Sequence, residues 1–170
     1  MATSAQVSGP DFSKGVSVEL IKDGETLLGH VGDKAVMLVS LEGTIYAVGA
    51  KCSHYGGPLS EGVVVGDTVH CPWHHASFSL KTGEPLKAPA LTPISCWTTE
   101  IKDDKIFVTG KKPVHHKVRG STENIHIVIV GGGAAGHAAA AMLRRKGFIG
   151  VIHMVTEDEA PPYDLSLIHI

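Results

Sequence analysis

Two cysteines and two histidines form two short pairs in the middle of the chain, Cys52-Ser53-His54 and Cys71-Pro72-Trp73-His74, separated by sixteen residues. Thiolate sulfur and imidazole nitrogen are common metal ligands, and such a set could hold zinc tetrahedrally. Each pair is short enough to reach one metal atom from a single loop. Glycine and proline next to both pairs favour tight loops. The pattern therefore predicts a metal site, with burial as ordinary core residues the simpler alternative.

The remaining cysteine and histidines are predicted to lie outside this site. Cys96 stands in PISCWTTE among strand-forming residues and is expected to be a small buried hydrophobe. His75 is expected to be exposed or to neighbour the site without binding the metal. An odd number of cysteines fits a reducing compartment better than a disulfide framework. Four more histidines are expected to be ordinary strand or surface residues: His30, His70, His115 and His116.

The elements around these pairs are predicted to be β-strands. Short runs rich in valine, leucine and isoleucine alternate with turn pairs such as GD, DG and EG. The predicted strands are VSVELI, TLLGHV, AVMLVSL, TIYAV, ASFSL, SCWTTEI and KIFVTG, with KTGEP as a turn and KDD as a hairpin. A small antiparallel barrel or sandwich that ends near Gly110 accounts for these runs.

A different pattern follows after residue 124. IHIVIV reads as a buried strand, GGGAAG as a turn, HAAAAMLRRKG as a helix that ends near Gly147, and GVIHMV as a second strand. Gly131, Gly133 and Gly136 fit the G-x-G-x-x-G pattern. In that pattern the first glycine permits a tight turn, the second admits a pyrophosphate, and the third lets helix and strand pack closely. Dinucleotide binding is the prediction, and a packing turn is the alternative.

An acidic residue after the second strand would complete such a site by accepting hydrogen bonds from a ribose. Glu157 is the first candidate and Asp158 the second, both in VTEDEAPPYD. A solvated acidic turn is the alternative.

Composition excludes several classes of partner. The formal net charge of −2 and pI near 6.6 give no basic surface for nucleic acid or anionic lipid. No apolar run approaches the roughly 18 residues that span a bilayer, and the N-terminus does not resemble a signal peptide. We therefore expect a cytoplasmic protein that binds neither nucleic acid nor membrane.

The Cys and His spacing, with proline after the second cysteine, resembles the Rieske [2Fe-2S] family. The resemblance implies that Cys52 and Cys71 hold one iron and that His54 and His74 hold the other. Two thiolates neutralise an oxidised core of charge about +2, so the cluster accepts an electron more easily than one with four thiolates. Gly57 and Trp73 stand where high-potential members carry disulfide cysteines, and Ala76 stands where they carry a serine. A potential at the low end of the Rieske range, roughly −150 to +300 mV, is expected.

The stretch from residue 124 through EAPPYD resembles the start of FAD-dependent pyridine nucleotide oxidoreductases of the ferredoxin-reductase and apoptosis-inducing-factor-like group. This resemblance implies FAD as a second cofactor, NAD(P)H as a substrate, and a redox partner protein or small molecule as acceptor. The predicted fold is an all-β Rieske domain followed by a partial α/β (Rossmann βαβ) FAD-binding fragment. The alternative is a stand-alone Rieske-type ferredoxin. A Rieske oxygenase is disfavoured because a dinucleotide fold follows the Rieske part.

The predicted boundaries are a Rieske domain at 14–112, a polar linker at 113–124 and the start of the FAD-binding domain at 125–164. After PPYD the sequence LSLIHI departs from the family pattern. These six residues, 165–170, match the translation of a common sequencing adapter, so we expect a truncated protein with a non-native tail. The fragment itself is expected to carry electrons without turnover.

Overall fold

The computed structural model describes residues 8–113 and 123–160. The chain divides into two compact units, 1–113 and 114–170. The first unit consists of β-strands and short 3-10 turns, and the second contains a strand, a helix and a strand.

The larger sheet of the first unit has six antiparallel strands. Its members are β1 (Val16–Ser17), β2 (Thr26–Val31), β3 (Lys34–Leu41), β4 (Thr44–Gly49), β9 (Cys96–Lys102) and β10 (Lys105–Lys111). They lie in the order β1-β10-β9-β4-β3-β2. The predicted KDD hairpin is confirmed, because Asp103 and Asp104 both take left-handed φ values of 48° and 56° between β9 and β10.

The smaller sheet of the first unit has four antiparallel strands in chain order. They are β5 (Val63–Val65), β6 (Thr68–His70), β7 (Ser77–Ser79) and β8 (Pro85–Lys87). The sequence interpretation passed over β5 and β6, although the Gly66-Asp67 pair between them is an ordinary hairpin signal. This sheet supplies one of the two loops of the candidate site.

One predicted strand was wrong. VSVELI pairs with β10 only at Val16 and Ser17, and a 3-10 turn takes over at Val18–Leu20. The Ser17 hydroxyl accepts a hydrogen bond from the Glu19 amide at 3.3 Å. A serine cap of this kind competes with the β-ladder, so the strand stops early.

Two buried clusters stabilise the first unit, and one of them contains the predicted thiolate ligands. Cys52 and Cys71 pack with Met37, Val48 and Phe78. Phe78 is completely buried, and burial of such a side chain contributes about 2 to 3 kcal/mol. The site is therefore anchored in the hydrophobic core.

The second unit contains two parallel strands, β11 (His126–Val130) and β12 (Val151–Val155), joined by the helix α1 (Ala134–Arg145). The predicted strands and helix are confirmed, and Gly147, at φ 84°, follows the helix end. Within the described ranges, no helix has both the length and the apolar character needed to span a membrane.

Candidate metal centre and glycine turn

Two loops of the first unit carry the predicted metal ligands. Loop 1, residues 52–57, follows β4 and is closed at its base by a bridge between Lys51 and Pro58. Loop 2, residues 71–76, joins β6 to β7. The two sheets of the unit thus present one loop each to the site.

Loop 1 and loop 2 have the same backbone hydrogen bonds. The Cys52 amide donates to the Gly57 carbonyl at 2.8 Å, and the Gly56 amide donates back to the Cys52 carbonyl at 2.8 Å. In loop 2 the Cys71 amide donates to the Ala76 carbonyl at 2.8 Å, and the His75 amide donates to the Cys71 carbonyl at 3.1 Å. Each cysteine therefore begins an equivalent six-residue turn.

The equivalence extends to backbone conformation at the fifth position of each loop. Gly56 has φ 74° and His75 has φ 60°. Glycine adopts this left-handed region freely, whereas a residue with a Cβ pays about 1 kcal/mol or more. His75 is exposed, as expected, but its strained backbone was not foreseen.

The two cysteines are brought together in the core. Cys52 is 4% exposed and Cys71 is 2% exposed, and both are free thiols. The pKa of the Cys52 thiol is raised mainly by burial and also by a hydrogen bond with Cys71, while the His54 and Tyr55 amides oppose the shift. Two buried sulfurs side by side, within hydrogen-bonding reach of each other, fit binding of one iron.

The two histidines also come together, with a half-buried ring from each loop. The His54 and His74 ring centroids lie 5.0 Å apart at an angle of 82°. The Tyr55 ring packs edge-on against His54 at 4.3 Å. Among the described residues no three metal-binding side chains converge as one ion would need, and the site consists of a thiol pair and an imidazole pair.

Gly57, Trp73 and Ala76 complete the immediate surroundings of the pairs. A Cβ placed on Gly57 would lie 2.9 Å from the Cys71 sulfur and 3.1 Å from the Trp73 indole. Positions 57 and 73 therefore face each other across the two loops, and the Trp73 indole packs directly against the backbone of Gly57. Ala76 is completely buried and offers no hydroxyl to the site.

A third segment borders the site and was missed by the sequence interpretation. The Ser53 hydroxyl donates to the Thr92 carbonyl at 2.6 Å, which ties loop 1 to the segment before β9. Nothing in the residue types at 53 and 92 signals this link, because the acceptor is a backbone group 39 residues away. Tyr55 was likewise not identified.

Cys96, His70 and His30 lie where they were expected. Cys96 is 7% exposed and belongs to the buried cluster, where burial raises the pKa of its thiol. His70 lies on β6 and His30 on β2. His115 and His116 fall outside the described residues, as do 165–170.

In the second unit the glycine turn joins β11 to the start of α1. Gly131 has φ 107°, and its amide donates to the Val155 carbonyl at 2.7 Å. A Cβ on Gly136 would collide with the Gly131 carbonyl oxygen, whereas one on Gly133 would meet no atom within 4 Å. Gly133 caps the helix without a side chain, so open space adjoins the first helical amides.

The acidic candidates lie beyond the end of β12. Glu157 and Asp158 are both exposed, and the Asp158 amide donates to the Thr156 hydroxyl at 3.2 Å. A Cβ on Gly132 would lie 2.7 Å from that same hydroxyl. Thr156 therefore places the acidic segment next to the glycine turn.

Comparison with known proteins gives three relevant similarities. The chain is 33% identical over 160 residues to human apoptosis-inducing factor 3, with 86% of this chain and 26% of that protein covered. It is 40% identical over 74 residues to the 3-phenylpropionate/cinnamic acid dioxygenase ferredoxin subunit of Shigella flexneri, with 43% of this chain and 70% of that protein covered. The structure of the ferredoxin of carbazole 1,9a-dioxygenase from Nocardioides aromaticivorans superposes with a TM-score of 0.54 at 26% identity. The superposition covers 57% of this chain and 95% of that ferredoxin.

The chain spans about a quarter of the length of its apoptosis-inducing factor 3 relative. The Rieske [2Fe-2S] domain family matches residues 14–98, half of the chain. Electron transfer through a [2Fe-2S] cluster is the function that this match and the ferredoxin similarities support. The chain thus belongs to the Rieske [2Fe-2S] family and carries electrons through such a cluster.

Proposed function

We propose that this chain is the N-terminal part of an FAD-dependent NAD(P)H oxidoreductase in which single electrons pass between flavin, cluster and an acceptor. The similarity to apoptosis-inducing factor 3 supports this proposal because it extends over 160 residues, well past the Rieske match at 14–98. The strand, glycine turn and helix of the second unit therefore lie within the compared region or at its edge. The acceptor is a partner protein or a small molecule.

We assign Cys52 and Cys71 to one iron and His54 and His74 to the other. The buried thiol pair and the ring pair at 5.0 Å support this division. When bound, the cluster takes up and releases one electron at a time. The protein keeps the sulfurs away from water and holds the two imidazoles at the partly exposed end of the site.

We assign the glycine turn to the pyrophosphate of FAD, with Glu157 or Asp158 on the ribose. The observation that carries this assignment is the contrast between Gly136, which is required by packing, and Gly133, which faces open space at the helix N-terminus. Free amides at a helix N-terminus attract an anion. An alanine methyl at Gly133 would occupy the space that a pyrophosphate needs.

The exposed face of the second unit gives independent support. Val128, Val130 and Val155 are 61%, 84% and 54% exposed, on the face opposite the half-buried Ile129 and Met154. Parallel sheets are normally covered on both faces. In the intact oxidoreductase, further helices of a doubly wound fold would cover this exposed face of the sheet.

The test is flavin content of the protein expressed from its complete gene, for the natural sequence and for Gly133→Ala. We expect one FAD for each [2Fe-2S] cluster in the natural protein and loss of FAD, with the cluster retained, in the variant. Gly110→Ala is the matched control, since a Cβ there also meets no atom within 4 Å. Flavin that stays bound to Gly133→Ala as tightly as to the control would contradict the assignment.

The second candidate is a stand-alone Rieske ferredoxin, favoured by the 40% identity to the dioxygenase ferredoxin subunit. For the 170-residue chain alone we expect two irons, two acid-labile sulfides and essentially no FAD. Absence of flavin from the product of the complete gene would favour this candidate. A cytoplasmic location belongs to either proposal, since three cysteines with metal-ligand spacing suit a reducing compartment better than a disulfide framework does.

A further inference from the structure

Two histidines of the second unit stand side by side on the open face of its two-stranded sheet. His126 is the first residue of β11 and His153 is the third residue of β12, and both are exposed. Their ring centroids lie 5.8 Å apart, and the ring planes differ by 20°. The sequence interpretation did not identify this pair, because the two positions are distant in the sequence and meet only through strand pairing.

The register of the parallel strands explains why the two rings meet. His126 pairs with Val151, and His153 pairs with Val128, so the histidines occupy neighbouring rungs of the ladder. Side chains two positions apart on a strand point to the same face. Diagonal neighbours on adjacent strands are still within reach of long side chains. The backbone pairing therefore holds the two imidazoles together.

The other side chains on this face give the imidazoles no polar partner. They are exposed valines: Val128, Val130, Val151 and Val155. Within residues 123–160, neither imidazole makes a hydrogen bond or an ion pair with another described residue. Neutral imidazole is a common ligand of zinc, copper and nickel ions. Both rings are therefore available to such an ion.

The distance between the rings is close to the distance that one shared ion requires. An imidazole nitrogen binds a metal ion at about 2.0 to 2.1 Å, so two rings on one ion have centroids about 4.5 to 5.2 Å apart for square or tetrahedral angles. The observed separation of 5.8 Å is slightly larger. Because both side chains are exposed, each ring can turn about its Cβ–Cγ bond and point a nitrogen toward the same ion.

We propose that His126 and His153 together bind one divalent transition metal ion, Zn²⁺ or Cu²⁺, which ties β11 to β12. The protein supplies two imidazole nitrogens, and water fills the other coordination positions. The pair lies at the opposite end of β11 from the glycine turn, about 13 Å along the strand. The inference therefore does not rest on the FAD assignment, and it concerns the second unit with this sheet face open.

The first experiment adds one equivalent of Cu²⁺ to the oxidised, cluster-loaded 170-residue chain and records pulsed electron paramagnetic resonance. The two ferric ions of an oxidised [2Fe-2S] cluster couple their spins to zero, so the spectrum reports copper alone. Every protein compared carries His115→Ala and His116→Ala, because two adjacent histidines are a competing copper ligand. We expect two imidazole nitrogens on the copper. Copper without two imidazole nitrogens would overturn the proposal.

Single substitutions test which histidines hold the ion. His126→Ala and His153→Ala should each leave one imidazole nitrogen and weaken copper binding by at least about tenfold, because the second ring no longer acts at a high effective concentration. Both histidines are exposed, so alanine leaves no cavity. His137→Ala is the matched control, since His137 is an exposed histidine on α1 of the same unit. Equal copper affinity in all three variants would contradict the site.

The second experiment tests whether the ion ties the strands. A two-stranded sheet is marginally stable by itself, and an ion that binds only the folded unit stabilises it. With Zn²⁺ in excess, amide hydrogen exchange across His126–Val130 and Val151–Val155 should slow by at least about fivefold, and it should not slow in His153→Ala. Exchange that zinc leaves unchanged in the natural chain, or slows equally in His153→Ala, would overturn the proposal.

Discussion

Positions 56 and 75 show how one backbone geometry is met by two different residues. The two cysteine loops have equivalent hydrogen bonds and both place their fifth residue in the left-handed region. Glycine at position 56 satisfies that requirement without strain, whereas histidine at position 75 does not. Reciprocal substitutions should therefore have opposite effects on stability.

We expect His75→Gly to stabilise the loaded chain by about 1 kcal/mol and Gly56→Ala to destabilise it by a similar amount. A Cβ on Gly56 meets no atom within 4 Å, so backbone strain alone is tested there. The midpoint of thermal unfolding should rise by on the order of 5 °C in His75→Gly and fall by a similar amount in Gly56→Ala. Midpoints that do not change, or that shift in the same direction in both variants, would show that the two loops are not equivalent.

Ala76 determines whether a hydroxyl can reach the cluster from loop 2. We expect Ala76→Ser to raise the midpoint potential by on the order of tens of millivolts, because a hydrogen bond to a cluster sulfur favours the reduced state. Ala47→Ser is the control. Ala47 is also buried, at 2% exposed, but it belongs to the hydrophobic cluster that does not contain Cys52 and Cys71. A redox titration of both variants measures the difference. Equal shifts in both would contradict the proposed place of Ala76 beside the cluster.

At the scale of elements, most strands and the helix could be predicted because their apolar periodicity and turn pairs are local. The 3-10 turn at Val18–Leu20 could not be predicted. It forms because the hydrogen bond from the Glu19 amide to the Ser17 hydroxyl is more favourable there than continued pairing with β10. The contact between Ser53 and Thr92 was also beyond prediction, because a backbone carbonyl carries no sequence signature. The four Cys and His positions were predictable as two pairs. The strain at His75 was not.

The third glycine of the turn holds the helix of the second unit against its strand. A Cβ on Gly136 would collide with the Gly131 carbonyl and lie 3.3 Å from the Ile129 side chain. We therefore expect Gly136→Ala to loosen α1, with faster amide hydrogen exchange across Ala134–Arg145 and an unchanged cluster spectrum. Gly133→Ala should leave exchange in the helix nearly unchanged. Equal exchange in both variants would contradict the packing role of Gly136.

At the scale of the whole molecule, the first unit has its own core and both cysteine loops. The proposed cluster ligands all lie between residues 52 and 74, and the two buried clusters are built from residues between 12 and 108. The domain boundaries at 112 and 124 remain predictions, and the chain divides into its two compact units after Pro113. Cluster binding should not need the second unit.

We expect a chain that ends at Pro113 to bind two irons and two sulfides and to keep the visible spectrum and midpoint potential of the 170-residue chain. The physical reason is that the described contacts of loop 1 and loop 2 lie inside the first unit. Iron analysis, sulfide analysis and redox titration check this expectation. Loss of the cluster on truncation would show that the second unit contributes to the site.

Binding of a [2Fe-2S] cluster by two cysteines and two histidines is the central claim, and nitrogen couplings in the reduced cluster test it most directly. Pulsed electron paramagnetic resonance of the reduced 170-residue chain should show two imidazole nitrogens, and His74→Cys should leave one and lower the midpoint potential. A reduced cluster with no nitrogen coupling would contradict histidine ligation, and a chain that binds zinc in place of iron would contradict the cluster.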